Sequence, residues 1–189
     1  MAAGSNTVNT AASLGAALTL TDTGTAITDS ITFNNTALTA DDAGDGNNLV
    51  VNGFETLTIN TTAVGDTAQD YGTIVMTADT GGTDTVIFTG ADRVTVGAIT
   101  AEVIDASGLT AQATGTTLSM TAAAVGVTTI TGSAGNDTLV GDAASTINGG
   151  GGNDTITGGA LNDTINGGAG NDTIAGGTGN DTVNAGAGN

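Results

Sequence analysis

The feature that most constrains the fold is a nine-residue phrase that repeats without interruption near the end of the chain. Four copies run from Gly149 to Asn184 and read GGGGNDTIT, GGALNDTIN, GGAGNDTIA and GGTGNDTVN. Asp137 belongs to the same pattern, because aligning each "NDT" gives aspartates at spacings of 17, 9, 9 and 9 residues. A unit this short cannot bury a core of its own, so the copies must stack on one another.

Each phrase divides into a turn and a short strand. The six residues GGxGND suit a tight turn, since glycine accepts a positive φ and Asn and Asp form local hydrogen bonds. The following TIx makes a three-residue strand, whose middle residue points to the face opposite its neighbours. Two phrases on opposite walls complete an 18-residue coil, and stacked coils predict a parallel β-roll. Its core is a ladder of the four middle residues, Ile156, Ile165, Ile174 and Val183.

Stacking also brings the aspartates into register at the turns. Asp154 and Asp172 fall on one edge of the predicted roll, and Asp163 and Asp181 fall on the other. Carboxylates stacked at the strand spacing of ~4.8 Å repel each other unless a cation lies beside them. Calcium accepts six to eight carboxylate and carbonyl oxygens in flexible geometry, whereas magnesium tolerates such a cage poorly. The pattern predicts three complete calcium sites, at the pairs Asp137–Asp154, Asp154–Asp172 and Asp163–Asp181.

Two phrases depart from the pattern. Between Asp137 and Asp154 lies GDAASTIN, eight residues long, in which Ser145 stands where an aspartate is expected. We expect its strand to persist and the ion partner of Asp163 on that side to be lost, unless Asp142 turns inward. Leu161 replaces the fourth glycine of its phrase, where a positive φ costs a branched residue about 1–2 kcal/mol.

The last residues, AGAGN, stop one position before the next expected aspartate. We interpret the chain as a fragment or an engineered form of a longer repeat. Such an end exposes strand edges and half a metal site, and therefore favours end-to-end stacking.

The charge of the chain excludes several classes of function. The formal net charge is −18, from 19 acidic residues and a single basic residue, Arg93. Nucleic acid and anionic membranes repel such a chain, and no apolar run approaches the ~18 residues of a membrane span. Cysteine, lysine and histidine are absent, which removes disulfides and the usual groups of acid–base and covalent catalysis. We expect no enzymatic activity, no nucleic-acid partner and no membrane insertion, and cations as the natural partners.

Two other acidic motifs are weaker. The triplet DTG at Asp22 and at Asp79 matches the catalytic phrase of aspartic proteases, but the threonine-rich turns around it favour a non-catalytic role. The segment DDAGDGNN is similar to an EF-hand loop, except that Ala43 occupies a ligand position. A solvated loop is favoured there over an additional calcium site.

Residues 1–131 lack the nonapeptide and consist of short alternating runs between glycine-rich turns. Strand-forming Thr, Val and Ile dominate, and proline is absent, which predicts an all-β fold. We predict an irregular Thr/Ala/Gly-rich parallel β-solenoid over 1–131, continuing into a calcium-binding parallel β-roll over 132–189. A β-sandwich is the alternative for 1–131, because alternation does not fix strand direction. Ten strands are predicted there, at LTLT (Leu18), SITF (Ser30), LVV (Leu49), FETLTI (Phe54), TIVMT (Thr73), TVIFT (Thr85), RVTV (Arg93), EVI (Glu102), TLSM (Thr117) and TTIT (Thr128).

The nonapeptides follow the consensus GGxGxDxUx, where U is a large apolar residue, and this part of the chain resembles the RTX calcium-binding repeats. The chain is also similar to the C-terminal portions of RTX-containing surface-layer proteins of Gram-negative bacteria. The segments that carry this similarity are NGFETLTI, and EVIDASGLTA followed by ITGSAGNDTLVG. The resemblance implies type I secretion directed by a signal beyond Asn189, and a calcium-stabilised solenoid in a lattice at the cell surface. It implies metal ligands at Asp137, Asp154, Asp163, Asp172 and Asp181, and turn carbonyls around Gly132, Gly135, Gly150, Gly152, Gly168, Gly170, Gly177 and Gly179.

Three functions are consistent with these patterns. The leading one is a structural component of an extracellular surface array (S-layer), folded and assembled by Ca²⁺, which self-associates into an array or end-to-end stacks. Another part of the parent protein would bind cell-surface polysaccharide. The alternatives are an RTX adhesin or ice-binding module, with Thr178 and Asn180 on its face, and the C-terminal calcium module of a secreted enzyme. In each case we expect the roll to be largely unfolded at low calcium and to fold on export.

Overall fold

The computed structural model describes residues 5–10, 18–21, 30–35, 47–61, 68–77, 83–91, 93–110, 117–120 and 126–188. Within these ranges the chain forms strands and turns, and no helix is long and apolar enough to cross a membrane. The motifs at Asp22 and Asp79 and the acidic residues of DDAGDGNN lie outside the described residues. The strands are β1 (Ser5–Thr10), β2 (Leu18–Thr21), β3 (Ser30–Asn35), β4 (Asn47–Asn52), β5 (Thr56–Thr61), β6 (Ala68–Thr77), β7 (Thr85–Gly90), β8 (Arg93–Val96), β9 (Ile99–Thr100), β10 (Val103–Leu109), β11 (Leu118–Met120), β12 (Thr129–Thr131), β13 (Thr138–Val140), β14 (Thr146–Gly151), β15 (Thr155–Ala160), β16 (Thr164–Ala169), β17 (Thr173–Thr178) and β18 (Thr182–Asn184).

The strands form two parallel sheets that the chain visits in turn. Sheet A has the order β1-β3-β5-β7-β10-β12-β14-β16-β18, and sheet B has the order β17-β15-β13-β11-β8-β6-β4-β2, with β9 paired to β6. Every pairing between neighbours is parallel. A chain that alternates between two parallel sheets winds as a solenoid. The predicted parallel β-solenoid is therefore confirmed, and the β-sandwich alternative for the first part is wrong.

The core is a ladder of apolar side chains between the two sheets. Alternate residues are buried along each strand, as in the pattern of β5, where Leu57 and Ile59 are fully buried. The strand register of sheet A places one inward-pointing residue of each coil next to the equivalent residue of the following coil. These buried residues are Ile31, Leu57, Val86, Ile104, Ile130, Ile147 and Ile165. The apolar core contains Phe54 and Phe88 in its first part, whereas in the roll it consists of aliphatic side chains only.

All ten strands predicted in the first part are present. Two strands were missed: β1, which lies in an asparagine-rich run, and β9, which has only two residues. In the roll, β14 to β17 have six residues instead of the predicted three. The parallel ladder continues there through glycine pairs such as Gly150 with Gly168 and Gly159 with Gly177. The first half of the turn phrase is therefore part of the sheet.

The end of the roll corrects one prediction about the core. Ile156 and Ile165 are buried as predicted, but Ile174 is only partly buried and Val183 is 48% exposed. These two residues lie on β17 and β18, the outermost strands of their sheets in this chain, so no further coil covers them. The domain division between residues 131 and 132 stays a prediction. At that point β12 pairs with β10 on one side and β14 on the other, so sheet A passes through the boundary without a break.

Candidate metal centre

The aspartates of the repeat lie at the starts of strands, one residue before the first threonine. Asp137, Asp154 and Asp172 precede β13, β15 and β17, which are neighbours in sheet B. Asp163 and Asp181 precede β16 and β18, which are neighbours in sheet A. The structure therefore brings together the aspartates that are 17 or 18 residues apart, along two separate edges.

One oxygen of each carboxylate is bound to the backbone of the preceding coil. Asp172 Oδ1 accepts a hydrogen bond from Asp154 N–H at 3.0 Å, and Asp154 Oδ1 accepts one from Asp137 N–H at 2.8 Å. On the other edge, Asp181 Oδ1 accepts from Asp163 N–H at 3.0 Å. These contacts hold each carboxylate between two coils and fix where its second oxygen lies.

The second oxygen is buried and unsatisfied in three of the aspartates. No described residue donates a hydrogen bond to Oδ2 of Asp154, Asp163 or Asp172, although each of these atoms is shielded from solvent. Asp154 and Asp163 are only 2% exposed. An ionised oxygen without a partner in such a position is strongly unfavourable unless a cation compensates it. The residues present therefore fit a bound cation at these edges.

The remaining ligands of such a cation have to come from the backbone. Among the residues that the structure describes, no group of three acidic side chains converges into a metal site. Glycines beside the carboxylates leave space for the Oδ2 atoms. A Cβ at Gly158 would lie 2.6 Å from Asp163 Oδ2, and a Cβ at Gly149 or Gly167 would collide with the Oδ2 atoms of Asp154 or Asp172. Calcium suits this donor set because it combines carboxylate and carbonyl oxygens.

Six of the eight predicted site glycines adopt a positive φ, between 97° and 139°. They are Gly150, Gly152, Gly168, Gly170, Gly177 and Gly179. A side chain on Gly168 or Gly177 would also collide with the carbonyl oxygen of Gly150 or Gly159 in the preceding coil. The positive φ and the close approach of stacked turns together require glycine. Gly132 and Gly135 do not have a positive φ. Gly132 is like Gly149 in this respect, whereas Gly135 differs from its equivalents Gly152, Gly170 and Gly179, so the second half of its turn differs from the later ones.

A comparison with protein families identifies this part of the chain. The model of the RTX calcium-binding nonapeptide repeat, four copies long, matches residues 126–156, 141–173 and 157–189. Residues 126–189 are RTX calcium-binding repeats. No curated protein and no solved structure matches the chain. RTX repeats bind calcium and are typical of secreted proteins, and they account here for the paired carboxylates and the glycine turns.

The two irregular RTX phrases differ in their effect on the site. Leu161 has a φ of 67°, the positive value predicted for it, and its side chain is exposed. Ser145 takes the aspartate position, and its N–H donates to Asp163 Oδ1 at 2.8 Å. Its hydroxyl donates to backbone carbonyls at Ala143 and Val127, and Asp142 stays exposed. The hydrogen bond from a backbone N–H to the carboxylate of the next coil is therefore kept at Ser145, but a neutral hydroxyl replaces the carboxylate of this coil.

The burial of Asp154 changes its acidity. The pKa of this carboxyl is raised to about 7, mainly by burial and in part by the charges of Asp137 and Asp172. The hydrogen bond from Asp137 N–H acts in the opposite direction. In the absence of calcium the folded state therefore binds a proton that the unfolded state, with a pKa near 3.8, has already released. Stability of the calcium-free roll must then be highest at acid pH and must fall as pH rises towards and through 7.

We expect acidification from pH 8 to pH 5 to favour the folded form of the calcium-free roll, which is otherwise unfolded near neutral pH. Circular dichroism of the chain in chelator, recorded across this pH range, measures the change as a gain of β-structure at acid pH. The variant Asp154→Asn is the control, because it removes this titration while leaving the other carboxylates in place. β-Structure that increases with pH, or that depends on pH equally in the variant, contradicts the assignment.

An acidic column in the first part of the chain was missed by the sequence analysis. Glu55, Asp84 and Glu102 each stand one residue before a strand of sheet A, at the position that aspartate occupies in the RTX repeats. Asp84 N–H donates to Glu102 Oε2 at 2.6 Å, the same kind of contact that links the RTX aspartates. The signal was the acidic residue directly before the alternating runs TLTI, TVIF and VIDA. Its alignment needs the strand register, because the spacings along the chain are unequal.

Proposed function

We propose that this chain is a structural segment of an extracellular surface array (S-layer), folded and assembled by Ca²⁺. The observation that carries this proposal is the continuity of sheets A and B, which makes the RTX repeats a direct extension of a solenoid without RTX phrases. Nine stacked strands at ~4.8 Å give a rod of about 40 Å. A continuous rod of stacked strands is a building element for a lattice, and it supports a non-catalytic role.

The outer face of sheet A supports lateral packing of such rods. Register aligns hydroxyl residues in one row of this face, broken only by Val103. The row consists of Ser30, Thr56, Thr85, Thr129, Thr146, Thr164 and Thr182. The row beside it contains one charged residue, Asp105. Because the whole chain carries a formal charge of −18, a face with a single charged residue in these two rows is where two copies approach with little repulsion.

The test is a calcium titration followed by circular dichroism and by sedimentation velocity. We expect β-structure and large assemblies to appear together with calcium, to be reversed by chelator, and to be absent with magnesium. Thr164→Glu adds a negative charge to the outer face of sheet A, increases the repulsion between copies there, and should prevent assembly without preventing folding. Thr155→Glu is the matched control, because Thr155 is exposed at the same position of an RTX phrase on sheet B. Equal assembly of the two variants, or a calcium-folded monomer, contradicts the proposal.

A calcium-folded monomer would instead favour the second candidate, an adhesin or ice-binding module. The same hydroxyl row of sheet A supports this second candidate, since regularly spaced hydroxyl and methyl groups suit a flat polar ligand. The face predicted from Thr178 does not, because Thr178 is aligned with Ala160 in sheet B and the equivalent positions of sheet A hold Gly151 and Ala169. A role as the calcium module of a secreted enzyme remains a prediction.

A further inference from the structure

The first RTX phrase has a turn that is unlike those of the four contiguous phrases. In those four phrases the second residue is Gly150, Gly159, Gly168 or Gly177, each with a positive φ. In the first phrase this residue is Ser133, which does not have a positive φ. Serine avoids that conformation for steric reasons, so the backbone of residues 132–137 follows another path. Its amide groups point in other directions as a result.

The altered path directs protein donors onto Asp137. Ser133 N–H donates to Asp137 Oδ2 at 2.6 Å, and Leu118 N–H donates to Asp137 Oδ1 at 2.8 Å. The Ser133 hydroxyl lies 3.0 Å from both carboxylate oxygens. Gly135 N–H donates to Ser133 Oγ at 3.0 Å, which directs the hydroxyl hydrogen away from Gly135 and towards the carboxylate. Asp137 and Ser133 are both buried, at 2% and 3% exposure.

Asp137 therefore contrasts with the three aspartates that follow it. Three protein donors satisfy both of its oxygens, whereas Oδ2 of Asp154, Asp163 and Asp172 has no donor among the described residues. Burial raises the pKa of the Asp137 carboxyl, and the hydrogen bonds from Ser133 and Leu118 act against that shift. Both oxygens of Asp137 therefore have partners without a metal ion. Recruiting Asp137 to calcium would require breaking the bonds to Ser133.

We propose that Ser133 and Asp137 form a calcium-independent cap at the start of the roll. The RTX repeats of this chain then hold calcium at two sites, Asp154–Asp172 and Asp163–Asp181, and the pair Asp137–Asp154 is not a third. The cap ties the first RTX turn to β11 through Leu118, so it gives the calcium-dependent coils a folded surface on which to stack. This inference rests on calcium binding by the repeats and is independent of array formation.

The test compares calcium stoichiometry by isothermal titration calorimetry of the full chain. We expect two calcium ions for the wild type, two for Asp137→Asn and one for Asp172→Asn, which is the matched control at a proposed ligand. In chelator, hydrogen exchange is expected to show the Leu118 and Ser133 amides protected in the wild type and one of the two exposed in Asp137→Asn. The amide group of asparagine faces one of the two backbone N–H donors, so one bond of the cap is lost. Three ions in the wild type, or a calcium lost in Asp137→Asn, overturns the proposal.

A second pair of variants tests the part played by Ser133. Ser133→Gly frees the turn to adopt the positive φ of the later phrases and is expected to raise the stoichiometry from two to three. Ser133→Ala removes the hydroxyl but keeps the restriction on φ, so it is expected to bind two ions. The same stoichiometry in both variants overturns the role given to Ser133. Sedimentation of these variants reports separately on the proposed array, so failure of one proposal is distinguishable from failure of the other.

Discussion

Chelation of calcium is expected to unfold residues 149–188 while residues 47–110 keep their strands. The roll buries Ile147, Ile156 and Ile165 and carries three unsatisfied carboxylate oxygens, whereas the first part has a larger core that includes two phenylalanines. At calcium concentrations 100-fold above Kd, each site contributes ~2.7 kcal/mol to stability. Two sites therefore contribute about 5 kcal/mol, comparable to the whole stability of a small domain.

Hydrogen exchange with mass spectrometry measures this difference segment by segment. In chelator the peptides of 149–188 are expected to exchange at the rate of an unfolded chain, and calcium is expected to restore their protection. Magnesium in place of calcium is the control, since it tolerates carbonyl cages poorly and should leave the segment unprotected. Equal protection of 149–188 with and without calcium would show that burial alone holds the roll together.

Gly150→Ala is expected to destabilise the calcium-bound roll by about 3 kcal/mol. Gly150 has a φ of 101°, and a Cβ there would collide with the carbonyl oxygen of Ser133 in the coil before it. The positive φ costs ~1–2 kcal/mol and the overpacking ~1–3 kcal/mol. Urea unfolding in saturating calcium measures the loss.

Gly151→Ala is the matched control for that substitution, one residue further along the same strand. Gly151 does not have a positive φ, and the nearest atom to its Cβ would be the Ala134 carbonyl oxygen at 3.3 Å. The aligned positions in later coils hold Ala169 and, in sheet B, Ala160 and Thr178. We expect a change within ~0.5 kcal/mol. Similar losses for both variants would mean that glycine is required for reasons other than its backbone conformation.

The repeat made much of this architecture predictable from sequence. A fixed period of nine residues gives both the 18-residue coil and the separation of Asp154 and Asp163 onto different edges. The positive φ of Leu161 was predictable because Leu161 replaces a glycine of the repeat. In the first part, alternation located ten strands, but their parallel direction was only one of two possibilities. Coil lengths vary there, and pattern alone does not state which strands pair.

Other features depend on geometry that the repeat does not encode. The column of Glu55, Asp84 and Glu102 appears only once strands of unequal spacing are in register. Ser133 looks like a neutral replacement of glycine, yet its hydroxyl and N–H reach Asp137 because the turn follows a different path. The extension of the roll strands into the glycines was also missed, because glycine is usually a poor strand former. Here neighbouring coils supply the pairing.

Along the two edges, carboxylates of one coil accept hydrogen bonds from backbone amides of the coil before it, and these bonds join residues 17 or 18 positions apart. Each of these coils therefore supplies the carboxylate that accepts a hydrogen bond from the backbone of the coil before it. A duplication or deletion of 18 residues in the gene would leave every remaining contact of this kind unchanged, so the length of the rod can vary in evolution by whole coils. The eight-residue phrase GDAASTIN shows where smaller changes are tolerated: its missing residue falls in the turn, and Ile147 keeps its place in the ladder.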